Sequence, residues 1–361
     1  MIEQRQDFVG LASQPDANIS ELCRRFQISR KTGYKWLNRD DAQDRSRRPH
    51  SSPSRTAQAL ELQVLAVREG HPAWGGRKIA HVLLRDQGIE LAPSTVTSVL
   101  HRHGRISAQA SQAATPWQRF EHAQPNALWQ MDFKGHFATA SQRCHPLTVL
   151  DDHSRFNIVL QALADERRIS VQPVLQRAFE RFGLPERINT DNGAPWADGG
   201  RGGLTGLAAW LIRLGVRLSH SRPLHPQTNG KDERFHRTFK AEVLALNTFG
   251  GVADAQSQFA RWRHIYNHER PHQALWMQTP ASRYRPSGRA MPRQLPPIEY
   301  LQGDLVRQVQ QGGWLSVHGR EIRTSKALVG QPVACRPLAE DGDFALYFCH
   351  QKIGQFSLRQ L

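Results

Sequence analysis

Leu128-Trp129-Gln130-Met131-Asp132-Phe133-Lys134-Gly135 is the stretch that most constrains how this chain can fold. Bulky apolar and polar residues alternate along it, the period of a strand that buries one face. The same strand carries a carboxylate, Asp132, into apolar surroundings, where an ionised group is costly unless it is paired or holds a metal. A fold that accepts this strand has to bring partners to Asp132. Two later stretches offer them. Arg187-Ile188-Asn189-Thr190-Asp191-Asn192-Gly193 ends a second apparent strand on a carboxylate, and Thr228-Asn229-Gly230-Lys231-Asp232-Glu233-Arg234 opens a helix with two more.

At 361 residues the chain is too long for one ordinary domain. Its formal charge of +16 favours a polyanionic partner, of which nucleic acid is the commonest. No apolar run approaches the roughly 18 residues of a membrane span. The start Met1-Ile2-Glu3-Gln4-Arg5 lacks the basic-then-apolar order of a signal peptide. Cys23, Cys144, Cys335 and Cys349 form no CxxC pair and read as reduced thiols of a cytosolic protein. His101 and His103 invite a zinc reading, but no cysteine stands at ligand spacing beside them, and that reading is set aside.

Four regions follow from the pattern. In residues 1–45, Leu22 and Phe26 share one helical face and Thr32 and Trp36 another, with Ile28 in the break between them. This is the outline of a helix-turn-helix, with Ser29 as N-cap and Arg30, Lys31 and Lys35 free for phosphates or base edges. Residues 40–55 read as a linker. Residues 56–105 repeat the outline in a winged-helix-like form: Ile79, Val82, Leu83 and Leu84 lie on a helix stopped by Gly88, and Pro93 opens another. Ser94 and Thr95, at the head of that last helix, are further candidates for DNA contact. A second linker spans 104–124. Residues 120–285 become mixed, in the order β-β-β-α-β-α-β-α with trailing helices, and residues 296–361 alternate between short strands and glycines, which suggests a small β-barrel.

Three carboxylates converging from two strand ends and a helix start make a hard, oxygen-rich site suited to Mg²⁺ or Mn²⁺. Two such ions about 4 Å apart clamp the attacking and leaving oxygens of a phosphodiester. On the last helix Phe235, Phe239, Val243 and Leu246 form the stripe that faces the core. Asp232 borders that stripe and suits capping, whereas Glu233 shares its face with Arg237 and Lys240. Glu233 is therefore the favoured third acid and Asp232 the alternative. His225, Lys231, Arg234 and Arg237 are candidates to hold DNA beside the metals. Asp151 and Asp152 read as structural, with Asp152 holding a hairpin turn.

The segments Trp129-Gln130-Met131-Asp132, Leu150-Asp151-Asp152-His153-Ser154-Arg155, Thr190-Asp191-Asn192-Gly193, His225-Pro226-Gln227-Thr228-Asn229-Gly230-Lys231-x-Glu233-Arg234 and Tyr266-Asn267-x-x-Arg270-Pro271-His272 resemble the integrase core of DDE transposases. With Ile28 to Trp36 in front, the chain is most similar to transposases of bacterial insertion sequences, of the family 481 type. The resemblance implies an RNase H-like core with catalytic, metal-binding Asp132, Asp191 and Glu233 and two Mg²⁺ or Mn²⁺ ions. It implies binding of the element's terminal inverted repeats, 3′-end cleavage, strand transfer into target DNA, and a homo-oligomer on DNA in the bacterial cytoplasm, at the nucleoid. The interval from Asp191 to Glu233 exceeds the family's usual one, and the surplus falls in Asp198-Gly199-Gly200-Arg201-Gly202-Gly203. A catalytically inactive DNA-binding regulator and an RNase H-like nuclease without joining activity are the alternatives.

Overall fold

The computed structural model describes residues 2–39, 43–44, 55–106, 121–197, 203–220 and 230–359. It divides into two compact units, Met1–Thr56 and Ala57–Leu361. The surplus residues 198–202 and His225 lie outside the described residues.

Three helices make the first unit: α1 (Ile2–Ala12), α2 (Ile19–Arg25) and α3 (Arg30–Leu37). Asn18 caps α2, and Ser29 caps α3 by accepting from the Thr32 N–H at 3.1 Å. The Ile28 N–H donates to the Cys23 carbonyl at 2.9 Å and closes the corner between them. The sequence pattern of α1 is soft, yet α1 supplies the plug: Phe8 is fully buried and meets Phe26 and Trp36 edge-on, at 5.5 and 5.6 Å. Gly33 permits this packing, because a Cβ there would stand 2.6 Å from Cys23 Sγ.

The second unit begins with α4 (Gln58–Gly70), α5 (Gly76–Gln87) and α6 (Pro93–Arg102) around Val64, Trp74, Ile79, Leu83, Val96, Val99 and Leu100. Gly88 ends α5 in the left-handed conformation at φ 67°, as its place in the sequence predicts. His103 serves a carboxylate: its Nε2 lies 2.8 Å from Oε2 of buried Glu61, which Arg102 also holds. Ile265 of the following core packs against this helical cluster.

The core is a sheet in the order β4-β3-β1-β5-β6, formed by β1 (Trp129–Phe133), β3 (Arg143–Asp151), β4 (Asn157–Leu163), β5 (Arg187–Thr190) and β6 (Arg217–His220); the two-residue β2 (Phe137–Ala138) pairs the start of β3. β1 is central, antiparallel to β3 and parallel to β5. On one face lie α7 (Arg168–Phe182) and α8 (Gly206–Arg213), packed over Trp129, Met131, Leu147 and Val149. On the other lie α9 (Gly230–Phe239) and α10 (Val252–His264), each prolonged by one π-helical turn. They bury Phe235, Phe239, Val243, Phe259, Trp262 and Tyr266 against Leu150 and Leu160. Three residues of the stripe predicted for α9 thus reach the core, whereas Leu246, past the π-helical turn, is exposed. This three-layer α/β/α arrangement is the RNase H-like core expected from the sequence, and a short α11 (Pro280–Arg283) follows it.

The C-terminal strands are β7 (Leu305–Gln308), β8 (Trp314–Val317), β9 (Arg320–Arg323), β10 (Pro332–Pro337), β11 (Asp343–Phe348) and β12 (Gln351–Ser357). They form an open sheet, β12-β11-β10-β7, and a separate β8-β9 ribbon, and neither closes on itself. This corrects the small β-barrel expected from the sequence. Alternation and glycines fix the strands, but closure requires the first and last to pair. Here the apolar face is covered instead by Ala209 and Ile212 of α8. The side-chain amide of Gln351 also pairs with the backbone of Leu218 on edge strand β6, at 3.2 and 3.3 Å. Among the described residues no helix is long and apolar enough to cross a membrane.

Candidate active site

The parallel register of β1 and β5, Trp129 opposite Ile188 and Gln130 opposite Asn189, is what brings two of the acids together. Asp132 and Asp191 each lie two positions beyond the Gln130–Asn189 pair, at the carboxyl ends of adjacent parallel strands, where open α/β sheets bind ligands. Asp132 is partly buried, and its Oδ1 accepts the Phe133 N–H at 2.8 Å. Burial, and then the Asp191 charge, push its carboxyl up to about 7. Asp191 is exposed, and its Oδ1 accepts the Gly193 N–H at 3.0 Å, turning the chain away after the strand. A buried carboxylate facing a second negative charge is a set that a divalent cation relieves.

The head of α9 carries two acids with opposite environments. Asp232 is 1% exposed. Its carboxylate accepts from Thr148 Oγ1 at 3.3 Å and lies 3.4 Å from His236 Nε2. Burial first, then Asp132, drive its carboxyl far above the usual range. Burial likewise holds the His236 imidazole neutral, down to about 3. One ligand atom each from Asp132, Asp232 and His236 fall within 4.8 Å of one another, so the inner set is also a candidate metal group among the described residues. Glu233, one residue on, is exposed on the outer face of the same turn. Asp232 is held inward against a hydroxyl and an imidazole, whereas Glu233 faces outward.

Gln130 fixes where α9 begins. It is 2% exposed, it donates to Asp152 Oδ1 at 2.9 Å, and its Oε1 accepts the Asp232 N–H at 3.1 Å. Asp152 Oδ2 accepts the His122 N–H at 2.9 Å and forms an ion pair with Lys231. Asp152 is therefore structural, but the hairpin turn belongs to its neighbour: Asp151 takes the Ser154 N–H and hydroxyl at 2.8 and 2.5 Å. Gln130, Thr148 and His236 were not singled out from sequence. For Gln130 a signal existed, since it is a polar residue on the strand face opposite Trp129 and Met131, and that face is buried too.

The predicted DNA-facing residues are distributed as follows. Arg30, Lys31 and Lys35 are all exposed on α3. Ser94 is exposed and Thr95 half-buried in the first turn of α6. Arg234 and Arg237 are exposed on α9. Lys231 is turned inward: its side chain is 16% exposed and holds Asp152, because the clasp on Gln130 brings the start of α9 down onto β1.

Comparison with known proteins follows the same lines. Residues 122–226 match the family model of an integrase core domain, residues 214–280 match a second integrase core model, residues 304–360 match the C-terminal domain of the IS481 family transposases, and residues 32–100 match a homeodomain-like domain. The insertion element IS407 uncharacterized 31.7 kDa protein of Burkholderia multivorans is 28% identical over 214 residues, 59% of this chain and 70% of that one. The insertion element IS476 uncharacterized 39.2 kDa protein of Xanthomonas euvesicatoria is 25% identical over 233 residues, 63% of this chain and 65% of that one. A chain of the simian T-cell lymphotropic virus intasome in complex with PP2A regulatory subunit B56 gamma aligns with 81% of this chain and 96% of its own, at 16% identity and a TM-score of 0.37.

Proposed function

We propose that the chain is an insertion-element transposase that cuts the 3′ ends of its element and joins them to target DNA; the matches to integrase core, homeodomain-like and IS481-type C-terminal models, and the likeness to an IS407 protein, support this reading. The observation that carries this reading is the placement of Asp132 and Asp191 at the carboxyl ends of adjacent parallel strands. Asp132, Asp191 and Glu233 are the proposed metal ligands, and the burial and then the Asp191 charge that push Asp132 up to about 7 are what favour a divalent cation there. Two Mg²⁺ or Mn²⁺ ions, when bound, would supply positive charge to the attacking and leaving oxygens.

In the first step water attacks the phosphorus at the element's end, the P–O3′ bond breaks, and a 3′-hydroxyl is left. In the second that hydroxyl attacks a target phosphodiester and a target 3′-hydroxyl departs. One phosphodiester is exchanged for another, so joining needs no external energy source. The protein's part is to position the DNA and neutralise charge. Residues 1–45 and 56–105 are proposed to hold the terminal inverted repeats, residues 120–285 to perform the chemistry, and several copies of the chain to assemble on DNA. Such a substrate places the protein in the cytoplasm, at the nucleoid.

The test is an assay of the full chain with Mg²⁺ and labelled duplexes that end in the element's own termini. Nicking and joining are expected from the unaltered protein, with losses of a hundredfold or more in Asp132→Asn, Asp191→Asn and Glu233→Gln while duplex binding persists. Unchanged activity in all three overturns the proposal. Cleavage without joining would make the chain a nuclease, and binding without metal-dependent cleavage would make it a regulator.

A further inference from the structure

One cation stands among the acids and is tied to none of them. Along β1, Trp129 and Met131 are buried beneath α7 and α8, and Phe133 packs on the same cluster. Gln130 and Asp132 point the other way, toward the head of α9. The Lys134 N–H donates to the Pro146 carbonyl at 3.0 Å, which carries the ladder with β3 one residue past the end of β1. Alternation therefore puts Lys134 on the Asp132 face, roughly 7 Å farther along the strand. Gly135 follows at φ 77°, with nothing within 4 Å of its Cβ position, so the chain swings away and leaves this corner open.

Electrostatics places the ammonium in the same spot. Burial comes first at Asp132, Asp232 and His236, but the Lys134 charge acts on all three and lowers each. Yet Lys134 makes no side-chain hydrogen bond or ion pair among the described residues. Lys231, by contrast, is held by Asp152. A half-buried ammonium without a carboxylate bears a desolvation cost that no partner returns.

We propose that Lys134 is a catalytic residue, whose ammonium binds a non-bridging oxygen of the scissile phosphate and stabilises the charge that develops there. Asp132, Asp191 and Glu233 with two divalent ions sum to one positive charge, which balances the single negative charge of a phosphodiester. In-line attack forms the new O–P bond, breaks P–O3′ and releases the proton of the attacking oxygen to solvent. The reacting group therefore passes through a state with one negative charge more. Lys134 is an unpaired cation on the right face to meet that charge, and a lysine ammonium is a compact point charge suited to phosphate oxygens. This inference rests on the DNA-processing reading above and names one contact within it.

The test uses the full-length protein and its Lys134→Met, Lys134→Gln and Lys134→Arg variants. The probes are duplexes ending in the element's own termini, one with the ordinary scissile phosphodiester and one with an uncharged methylphosphonate there. In single-turnover nicking with Mg²⁺, Lys134→Met and Lys134→Gln should be slower by roughly a hundredfold on the ordinary probe, while duplex affinity changes by less than about twofold. On the methylphosphonate the same variants should lose only about threefold, because less charge develops for the ammonium to meet. Lys134→Arg, which keeps the charge, should recover part of the rate on the ordinary probe. Melting curves give a readout apart from activity: the rise produced by Mg²⁺ alone should be at least as large in Lys134→Met, since removing a nearby cation does not weaken metal binding. Should no protein cut the neutral probe, the Mg²⁺ rise and the arginine rescue decide. Equal losses on both probes, or a Mg²⁺ rise that disappears, would make Lys134 a support of the acids and overturn the inference, as would nicking as fast as the unaltered protein's. An unaltered protein that neither binds nor nicks the element's termini would overturn the DNA-processing reading itself.

Discussion

The amide of Gln130 and the carboxylate of Asp152 stand 2.9 Å apart in a nearly dry setting, and together they tie the head of α9 to the central strand. The carbonyl of the same Gln130 amide accepts the Asp232 N–H at 3.1 Å, and Asp152 takes the charge of Lys231. An acid outside the proposed trio thereby holds the turn of α9 that carries Glu233.

Removing that acid should be expensive. Asp152→Ala leaves the Lys231 ammonium, on a side chain only 16% exposed, without its carboxylate and strips the Gln130 amide of its acceptor. We expect a loss of about 3 kcal/mol in urea unfolding, the size usual for breaking one half of a buried pair. The double variant Asp152→Ala, Lys231→Met should recover part of it. Strictly additive losses would show that the pair does not act as one.

The two acids at the start of α9 should separate cleanly. Asp232 is enclosed by Thr148 and His236 and is strongly biased toward its neutral form, and asparagine mimics a neutral carboxyl in shape. Asp232→Asn should therefore keep most of the Mg²⁺-dependent nicking, whereas Glu233→Gln should lose it. The reverse result would move the third ligand to the inner group of Asp132, Asp232 and His236.

Lys78 gives a pH signature. Burial, then Arg270, lower its ammonium from 10.5 to about 7, with Glu242 opposing and Arg234 adding to the repulsion. Between about pH 7 and 10.5 the unfolded chain therefore holds one proton more than the folded one, so this residue makes stability rise with pH across that window. Lys78→Met should melt higher than the unaltered protein near pH 7, and the difference should shrink toward pH 9. A difference independent of pH would mean that the lysine is not desolvated.

Arg30, Lys31 and Lys35 are exposed on the second helix of the first helix-turn-helix. Changing each to alanine should weaken duplex binding and reduce the slope of log affinity against log salt by roughly one for every phosphate no longer neutralised. Fluorescence anisotropy between low and moderate salt reads this directly. An unchanged slope in the triple variant would remove α3 from the DNA interface.

What the sequence determined by itself is local. The alternation around Asp132 specified a strand, Gly88 marked the end of α5, Ser29 marked the start of α3, and the stripe Phe235, Phe239, Val243 chose the buried face of α9. Each of these is written within a few residues, as a period, a cap or a left-handed position. Only the tertiary structure decided the rest. The parallel pairing of β1 with β5 set Asp132 beside Asp191, and the tilt of α9 onto Gln130 sent Asp232 inward and left Glu233 outside. Lys231 turned toward Asp152 for the same reason, and the C-terminal strands stayed open because α8 covers their apolar face. Strand partners and helix rotation are settled by contacts between segments tens of residues apart, and no pattern within one segment records them.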